Sequence, residues 1–344
     1  MAQVWRCSGL RWSPEGPVLV WDGGRRSVLP RGKRIAFAVP EGGARTCVGA
    51  RGNPCPLRVT VPGRSTGARC EECARLDRAH SVAADTIADD PRPYRVYLAW
   101  FGPGMLKVGI TAVERGSARL LEQGAVCFSW LGTGPLMAAR RTEELLRAAL
   151  RVPDRIPYAE KRAVRSLLPG TEAERAAEVR ELHARAAALA GWPESLRPEP
   201  CRVTDHLAAF GLVGSPAALG EVVELVPGGA VSGELVAAAG PDLHLTAGAH
   251  PHPTVGAHSH PTARRDLRLT AGAHQHPAAW HDPQRAAGPD PHPASRAGGV
   301  VVLDTRLMTG WELLPAAPGD DGLTVPVGAF RTEREKEGEQ EGLF

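Results

Sequence analysis

The sequence predicts a mixed α+β protein with strands towards both ends and most helices in the middle. Short apolar runs broken by turns fill the first 40 residues, helix patterns follow two strand patterns that begin at residue 94, and glycine-punctuated strands return after residue 230. We expect five regions along the chain. They are a β-rich region (1–43), a cysteine region with a linker (44–90), a central α/β domain with a small antiparallel sheet and a helical extension (91–230), a small β unit (231–315) and a disordered tail (316–344).

Basic residues are concentrated in the first half of the chain. Residues 1–170 hold 27 Lys and Arg against 15 Asp and Glu, residues 171–344 hold 14 against 23, and the whole chain carries only +3. A basic half favours a polyanionic partner such as DNA or RNA, and a solvated surface with scattered arginines is the alternative. Only four of the 41 basic residues are lysines, so each lysine is conspicuous.

No segment has the character of a signal peptide or the length of a membrane span. The sequence therefore predicts a soluble, cytoplasmic protein without a membrane partner. In that compartment the seven cysteines are expected to be reduced thiols or metal ligands, not disulfides. No pattern in the chain predicts the oligomeric state.

The helices of the central domain have clear boundary signals. Pro135 precedes a strong helix pattern, and Thr171 has capping-box spacing to Glu174 at the start of another helix. Two shorter helices are predicted near residues 203–210 and 215–226. Together these segments form the helical extension of the central domain.

A histidine-rich insert interrupts the late β unit. Nine of the twelve histidines fall between His244 and His292, where LTAGAH occurs twice. Such a segment cannot form a core, so we expect residues 247–298 to be a disordered loop. Repeated His-x-His pairs can bind Zn²⁺, Ni²⁺ or Cu²⁺ loosely, but expansion of a tolerated loop explains the repeats better. We assign these histidines no part in the main function.

Four cysteines have a spacing that favours a structural zinc site. Cys47, Cys55, Cys70 and Cys73 follow the pattern C-x7-C-x14-C-x2-C. Four thiolates complete a closed tetrahedral zinc site, and metal binding would stabilise a segment too polar to form a core. The first pair is wider than usual, and His80 could replace one cysteine. Free thiols and a redox C-x2-C motif are the alternatives, although the redox motif normally follows a buried strand that is absent here.

Residues that suit a phosphate-bearing substrate occur around a strand–turn–strand segment. Tyr97 lies on an apolar strand, Lys107 lies on the next strand after a Gly-Pro-Gly turn, and Arg115 and Arg119 follow on a helix. The later helix carries Glu143 on the same face as Leu146 and Leu150, which predicts that Glu143 points inward while Glu144 faces solvent. Taken singly, each of these residues is more often a core tyrosine, a solvated cation or an ordinary helix charge.

The segment VYLAWFGPGMLKVGIT resembles the two-motif hairpin of GIY-YIG nucleases, and RLLEQ resembles the helix that carries the arginine of that family. The chain also resembles a bacterial family of uncharacterised proteins, domain of unknown function 2797, in its KVGIT, ERGSARLLEQGA, TEELL, GELV and DTRLMTGW segments. That second family has no established activity. Two residues depart from the nuclease pattern, because Lys107 replaces a tyrosine and Gln123 replaces a histidine.

The nuclease resemblance implies phosphodiester hydrolysis. Tyr97 would orient or deprotonate a water, Arg119 would clamp the phosphate, and Glu143 would hold one Mg²⁺ or Mn²⁺. Lys107 would either lower the pKa of Tyr97 or bind a phosphate. We therefore expect a zinc-containing nucleic-acid-binding protein that acts as a metal-dependent endonuclease. The alternatives are a non-catalytic nucleic-acid-binding module, favoured by Lys107 and Gln123, and a protein-interaction or metal-handling protein, favoured by the histidine repeats.

Overall fold

The computed structural model describes residues 3–79, 90–247, 299–317 and 322–329. It contains these strands, in chain order: β1 (Trp5–Ser13), β2 (Gly16–Trp21), β3 (Arg26–Val28), β4 (Arg34–Ala38), β5 (Tyr94–Trp100), β6 (Leu106–Ala112), β7 (Cys127–Gly134), β8 (Arg197–Pro198), β9 (Thr204–Asp205), β10 (Ala218–Val222), β11 (Ala230–Ala239), β12 (Asp242–Ala247), β13 (Val300–Asp304), β14 (Glu312–Pro315) and β15 (Val327–Gly328). The α-helices are α1 (Glu71–Ala79), α2 (Ala118–Gln123), α3 (Leu136–Leu150), α4 (Tyr158–Ala163), α5 (Glu172–Ala187), α6 (Leu207–Phe210) and α7 (Thr305–Met308). The predicted α+β class is confirmed.

The two ends of the chain form one ten-stranded sheet, in the order β15-β10-β13-β12-β11-β4-β14-β1-β2-β3. Its neighbouring strands are antiparallel except β10 and β13, which run parallel. The pairing of β1 with β14 and of β4 with β11 joins the N-terminal strands to the late ones. The residues predicted as two separate β regions therefore share one sheet and one apolar core, which includes Phe37, Val231, Leu243 and Leu303.

The central domain has a five-stranded sheet in which β5 lies between β6 and β7, while the short β8 and β9 both pair with β7. One core includes Leu98, Val108, Leu146 and Val179, from the sheet and from α3 and α5. The opposite face of β5 buries Tyr97 in a smaller cluster that reaches α2. This arrangement places α2 beside the residues that the sequence analysis singled out.

The helix boundaries follow their sequence signals. Pro135 caps α3, as predicted. The Thr171 hydroxyl accepts a hydrogen bond from the Glu174 backbone N–H, and the Glu174 carboxylate accepts one from the Thr171 backbone N–H, so the predicted capping box is confirmed. Among the described residues no helix is long and apolar enough to cross a membrane.

Two predictions are wrong. Residues 215–226 contain β10 instead of a helix, because their buried and exposed side chains alternate with the two-residue period of a strand and β13 pairs with them. Residues 322–329, predicted as disordered tail, include β15, which pairs with β10. The histidine-rich insert from residue 248 to residue 298, the predicted linker residues 81–89, His80 and the tail from residue 330 lie outside the described residues.

Candidate functional site

A buried hydrogen-bonded cluster links the two strands of the β5–β6 hairpin to the end of α2. The Gln123 side-chain Nε2 donates to the Tyr97 hydroxyl at 2.8 Å, and Lys107 Nζ donates to Gln123 Oε1 at 3.0 Å. Tyr97 is 2% exposed and Lys107 is 8% exposed. Because the oxygen and the nitrogen of the Gln123 side-chain amide both form hydrogen bonds, this glutamine fixes the phenol and the ammonium relative to one another.

Gly109 makes room for the Tyr97 ring. The two residues face each other across β5 and β6, and a Cβ atom at position 109 would lie only 2.4 Å from the Tyr97 hydroxyl oxygen. Carbon and oxygen atoms that are not bonded cannot approach so closely, so any larger residue at this position must displace the phenol. The glycine in the KVGIT segment therefore has a packing function at the site.

Burial controls the ionisation of Tyr97 and Lys107. Burial raises the pKa of Tyr97, although Gln123 and Arg119 oppose the shift. Burial lowers the pKa of Lys107 to about 8, and the positive charge of Arg119 adds to that effect. The pKa of Tyr97 is therefore raised overall, and the charge of Lys107 is not among the main causes of the shift. Lys107 donates to Gln123 and has no direct hydrogen bond to the phenol in the described chain.

Arg119 lies one helical turn before Gln123 and reaches solvent. Its side chain is 44% exposed and lies 3.8 Å from the Glu122 carboxylate, which also accepts a 2.6 Å hydrogen bond from Arg115. The guanidinium is therefore held loosely near the buried cluster. The charge of Arg119 acts on both Tyr97 and Lys107, so these three residues share one electrostatic environment.

Glu143 is half-buried, whereas its neighbour Glu144 is exposed, in the orientation expected from helix periodicity. Burial raises the pKa of Glu143, the nearby Asp154 raises it further, and Lys107 opposes both. The charge of Glu143 also acts on Tyr97 and Lys107. The four residues predicted for the site, Tyr97, Lys107, Arg119 and Glu143, therefore interact electrostatically. The structure adds Asp154, a second carboxylate whose charge acts on Glu143.

The four cysteines lie together at the N-terminal end of α1. Their Sγ atoms are all within 4.8 Å of one another. A tetrahedron of thiolates around zinc needs sulfur–sulfur distances of about 3.8 Å, given zinc–sulfur bonds of about 2.3 Å. The backbone N–H groups of Gly49 and Cys70 point at Cys47 Sγ, at 3.3 and 3.2 Å, as suits a thiolate. The donor set therefore fits a metal ion such as zinc.

A family model described as "Protein of unknown function (DUF2797)" matches residues 32–254. This match covers more than half of the chain. The chain belongs to this family. The predicted membership is confirmed, and the GIY-YIG resemblance stays a prediction. No curated protein and no solved structure matches the chain.

Besides Asp154, sequence reasoning missed Lys161, which contacts the buried cluster. Its Nζ donates to the Gln123 backbone carbonyl at 3.2 Å and lies 3.8 Å from the ring centre of Phe101 and 4.4 Å from that of Tyr158. Burial lowers the pKa of Lys161 to about 7, and the charge of Lys107 contributes. The signal was available, because Lys161 is one of only four lysines in a chain with 37 arginines.

Proposed function

We propose that the protein binds nucleic acid and hydrolyses phosphodiester bonds with a divalent metal, on a GIY-YIG-like central domain. The observation that carries this proposal is the Tyr97–Gln123–Lys107 cluster, which lies beside an exposed arginine and a half-buried carboxylate. The strand pair, α2 and α3 also follow the order in which GIY-YIG nucleases carry their groups.

Each side chain has a role that agrees with its environment. The Tyr97 oxygen accepts from Gln123, so its own hydrogen remains a donor and would orient a water that enters the buried cluster, whereas its raised pKa argues against a role as a base. Lys107, with a pKa of about 8, is partly neutral near pH 7.5 and would accept the proton of the attacking water. Arg119 would stabilise the charge that grows on the phosphate.

Glu143 and Asp154 would hold Mg²⁺ or Mn²⁺. Carboxylate oxygens are the ligands that these ions prefer, and a cation would offset the burial and the repulsion by Asp154 that together raise the pKa of Glu143. When bound, the ion would act as a Lewis acid on the leaving oxygen. Water oxygen would bond to phosphorus as the bond from phosphorus to the leaving oxygen breaks.

The test uses purified protein with Mg²⁺ or Mn²⁺ and labelled single-stranded, duplex and branched DNA and RNA. We expect cleavage, and we expect Arg119→Ala and Glu143→Gln each to lower the rate by about 100-fold or more. Glu144→Gln and Arg180→Ala are matched controls, since both residues are exposed on helices. Substrate that is retarded but uncut by the wild-type protein would refute hydrolysis.

A non-catalytic nucleic-acid-binding protein is the second candidate. The observation that favours it is the burial of the Tyr97 hydroxyl, since a phenol that is 2% exposed has little access to a water or a phosphate. The same assay separates the two candidates. Binding without cleavage supports the second, and absence of salt-dependent binding refutes both.

A further inference from the structure

An arginine-lined cleft of about 300 Å³ begins at Arg119 and extends away from the buried cluster. Its walls come from β1, from the loop before α1, from α2 and from the α7 segment. The charged residues that line it are Arg11, Arg69, Arg119, Arg306 and Glu122. Three of these arginines have a carboxylate nearby, since Arg69 lies 3.5 Å from Asp77, Arg119 lies 3.8 Å from Glu122 and Arg306 lies 2.5 Å from Asp304. Arg11 has no carboxylate partner within the part of the chain that the structure describes.

The walls of this cleft are held in place by buried contacts. Arg45, which is 1% exposed, donates to the carbonyl oxygens of Pro62, Ser65, Arg306 and Thr309 at 2.5 to 2.9 Å. These bonds tie the loop before α1 to the α7 segment. The cleft is therefore preformed, which lowers the entropic cost of binding a ligand there.

The cleft offers charge but no open aromatic face. Arg306 lies 4.2 Å above the Tyr158 ring and Lys161 lies 4.4 Å from its centre. Trp12 is buried, and its Nε1 donates to the Gly240 carbonyl. Bases cannot stack on either ring, so the cleft suits recognition of phosphates without recognition of base sequence.

We infer that this cleft binds the sugar-phosphate backbone of a single-stranded nucleic acid and leads it to Arg119. The inference rests on the nucleic-acid-binding half of the proposed function and does not require hydrolysis. A cavity of about 300 Å³ lies at the small end of ligand sites, so it admits one strand and not the body of a duplex. The guanidinium forks suit phosphate oxygens.

The cysteine cluster also positions part of the cleft. Arg69 directly precedes Cys70, and its Nε donates to the Gly49 carbonyl at 3.0 Å. The backbone N–H groups of Gly49 and Cys70 both contact Cys47 Sγ. Metal binding by the four cysteines would therefore fix Arg69 in the cleft wall, and strand binding is expected to weaken when the metal is removed.

The test measures binding of fluorescein-labelled dT12 by anisotropy, without added Mg²⁺ or Mn²⁺, over a series of salt concentrations. We expect Arg11→Ala and Arg69→Ala each to weaken binding by about fivefold and to reduce the slope of log affinity against log salt by about 0.7. Arg26→Ala and Arg75→Ala are matched controls, because both arginines are exposed and neither lines the cleft. The controls should bind like wild type.

Three further arms make the outcome decisive. A 12-base-pair duplex should bind more weakly than dT12, and AMP at an equal phosphate concentration should not displace the strand. Removing the metal with a chelator should weaken binding to the level of Arg69→Ala and add nothing to that variant, provided that thermal unfolding shows a folded protein. Chelation can also weaken binding by destabilising the fold. Arg69→Ala tests the arginine without that effect, because it leaves the four cysteines intact.

Several results would overturn the inference: unchanged affinity and salt slope in Arg11→Ala and Arg69→Ala, equal binding of duplex and strand, or displacement by AMP. Failure of the cleft can be told apart from failure of the nuclease. Cleavage with unchanged binding in the variants refutes the cleft alone, and arginine-dependent binding without cleavage refutes hydrolysis alone.

Discussion

Arg162 of α4 joins the central domain to the ten-stranded sheet, and its replacement by methionine is expected to destabilise the protein by about 3 kcal/mol. The guanidinium is 9% exposed and hydrogen-bonds to Asp242 at 2.6 Å, to Glu221 at 2.9 Å and to Asp304. Asp242 is fully buried and Asp304 is 3% exposed. Breaking a buried ion pair on one side typically costs 3–5 kcal/mol because the remaining charge stays buried.

The low end of that range applies because both buried carboxylates, Asp242 and Asp304, keep a second cation nearby. Arg165 lies 3.5 Å from Asp242, and Arg306 lies 2.5 Å from Asp304. A loss of about 3 kcal/mol corresponds to a fall of roughly 4 °C in melting temperature for a chain of this size. Urea unfolding and calorimetry on Arg162→Met measure both quantities, with Arg180→Met as an exposed control that is expected to lie within about 0.5 kcal/mol of wild type.

A double-mutant cycle with Asp242→Asn tests whether the loss comes from the ion pair. The coupling energy should be at least about 1 kcal/mol, because the two residues are in direct contact. Additive effects, or a melting temperature of Arg162→Met within about 2 °C of wild type, would refute the view that this arginine stabilises the contact between the central domain and the ten-stranded sheet.

The pH dependence of the unfolding free energy provides a further check. Burial alone would raise the pKa of Asp304, but Arg306 and Arg162 together hold it below its usual value. Its stabilising contribution is therefore complete above about pH 4 and is lost below it.

Three other predictions concern the site. Gly109→Ala should cost about 1–3 kcal/mol of stability through overpacking against Tyr97, and it should abolish any cleavage, while Gly170→Ala, in open space, should do neither. Lys161→Met should remove a rise in unfolding free energy between about pH 7 and pH 10. The reason is that a lowered folded pKa leaves the unfolded state with more bound protons in that window; identical pH profiles would contradict it. Cys73→Ser or a chelator should lower the melting temperature and release about one equivalent of zinc, and a metal-free wild type would count against the four-cysteine site.

The structural features that the sequence predicted are those with local causes. Thr171 and Glu174 are three residues apart, so the capping box could be recognised from spacing alone. The shared sheet could not be predicted in this way, since β1 pairs with β14 across about 300 residues and no local pattern states which strands become neighbours. The contacts of Arg162 have the same character, because its partner Asp304 is 142 residues away.

At the site, the sequence predicted a set of residues but not how they are arranged. Lys107 and Gln123 looked like departures from a nuclease pattern when considered separately. In the structure they depend on each other, because the glutamine side chain accepts from the lysine and donates to Tyr97. The two substitutions are therefore best explained as one change.

The choice of lysine at positions 107 and 161 has a physical reason. The two ammonium groups are both buried, and the charge of Lys107 disfavours the charged form of Lys161. Arginine cannot lose its proton in a protein, so two arginines there would place two fixed charges in a site with little solvent. Lysines with pKa values of about 8 and about 7 can relieve the repulsion by releasing a proton. In a chain that uses arginine in 37 of 41 basic positions, two of the four lysines thus lie at buried positions where the cation can become neutral. That property is required of a proton acceptor, and it is unnecessary in a residue that only binds phosphate.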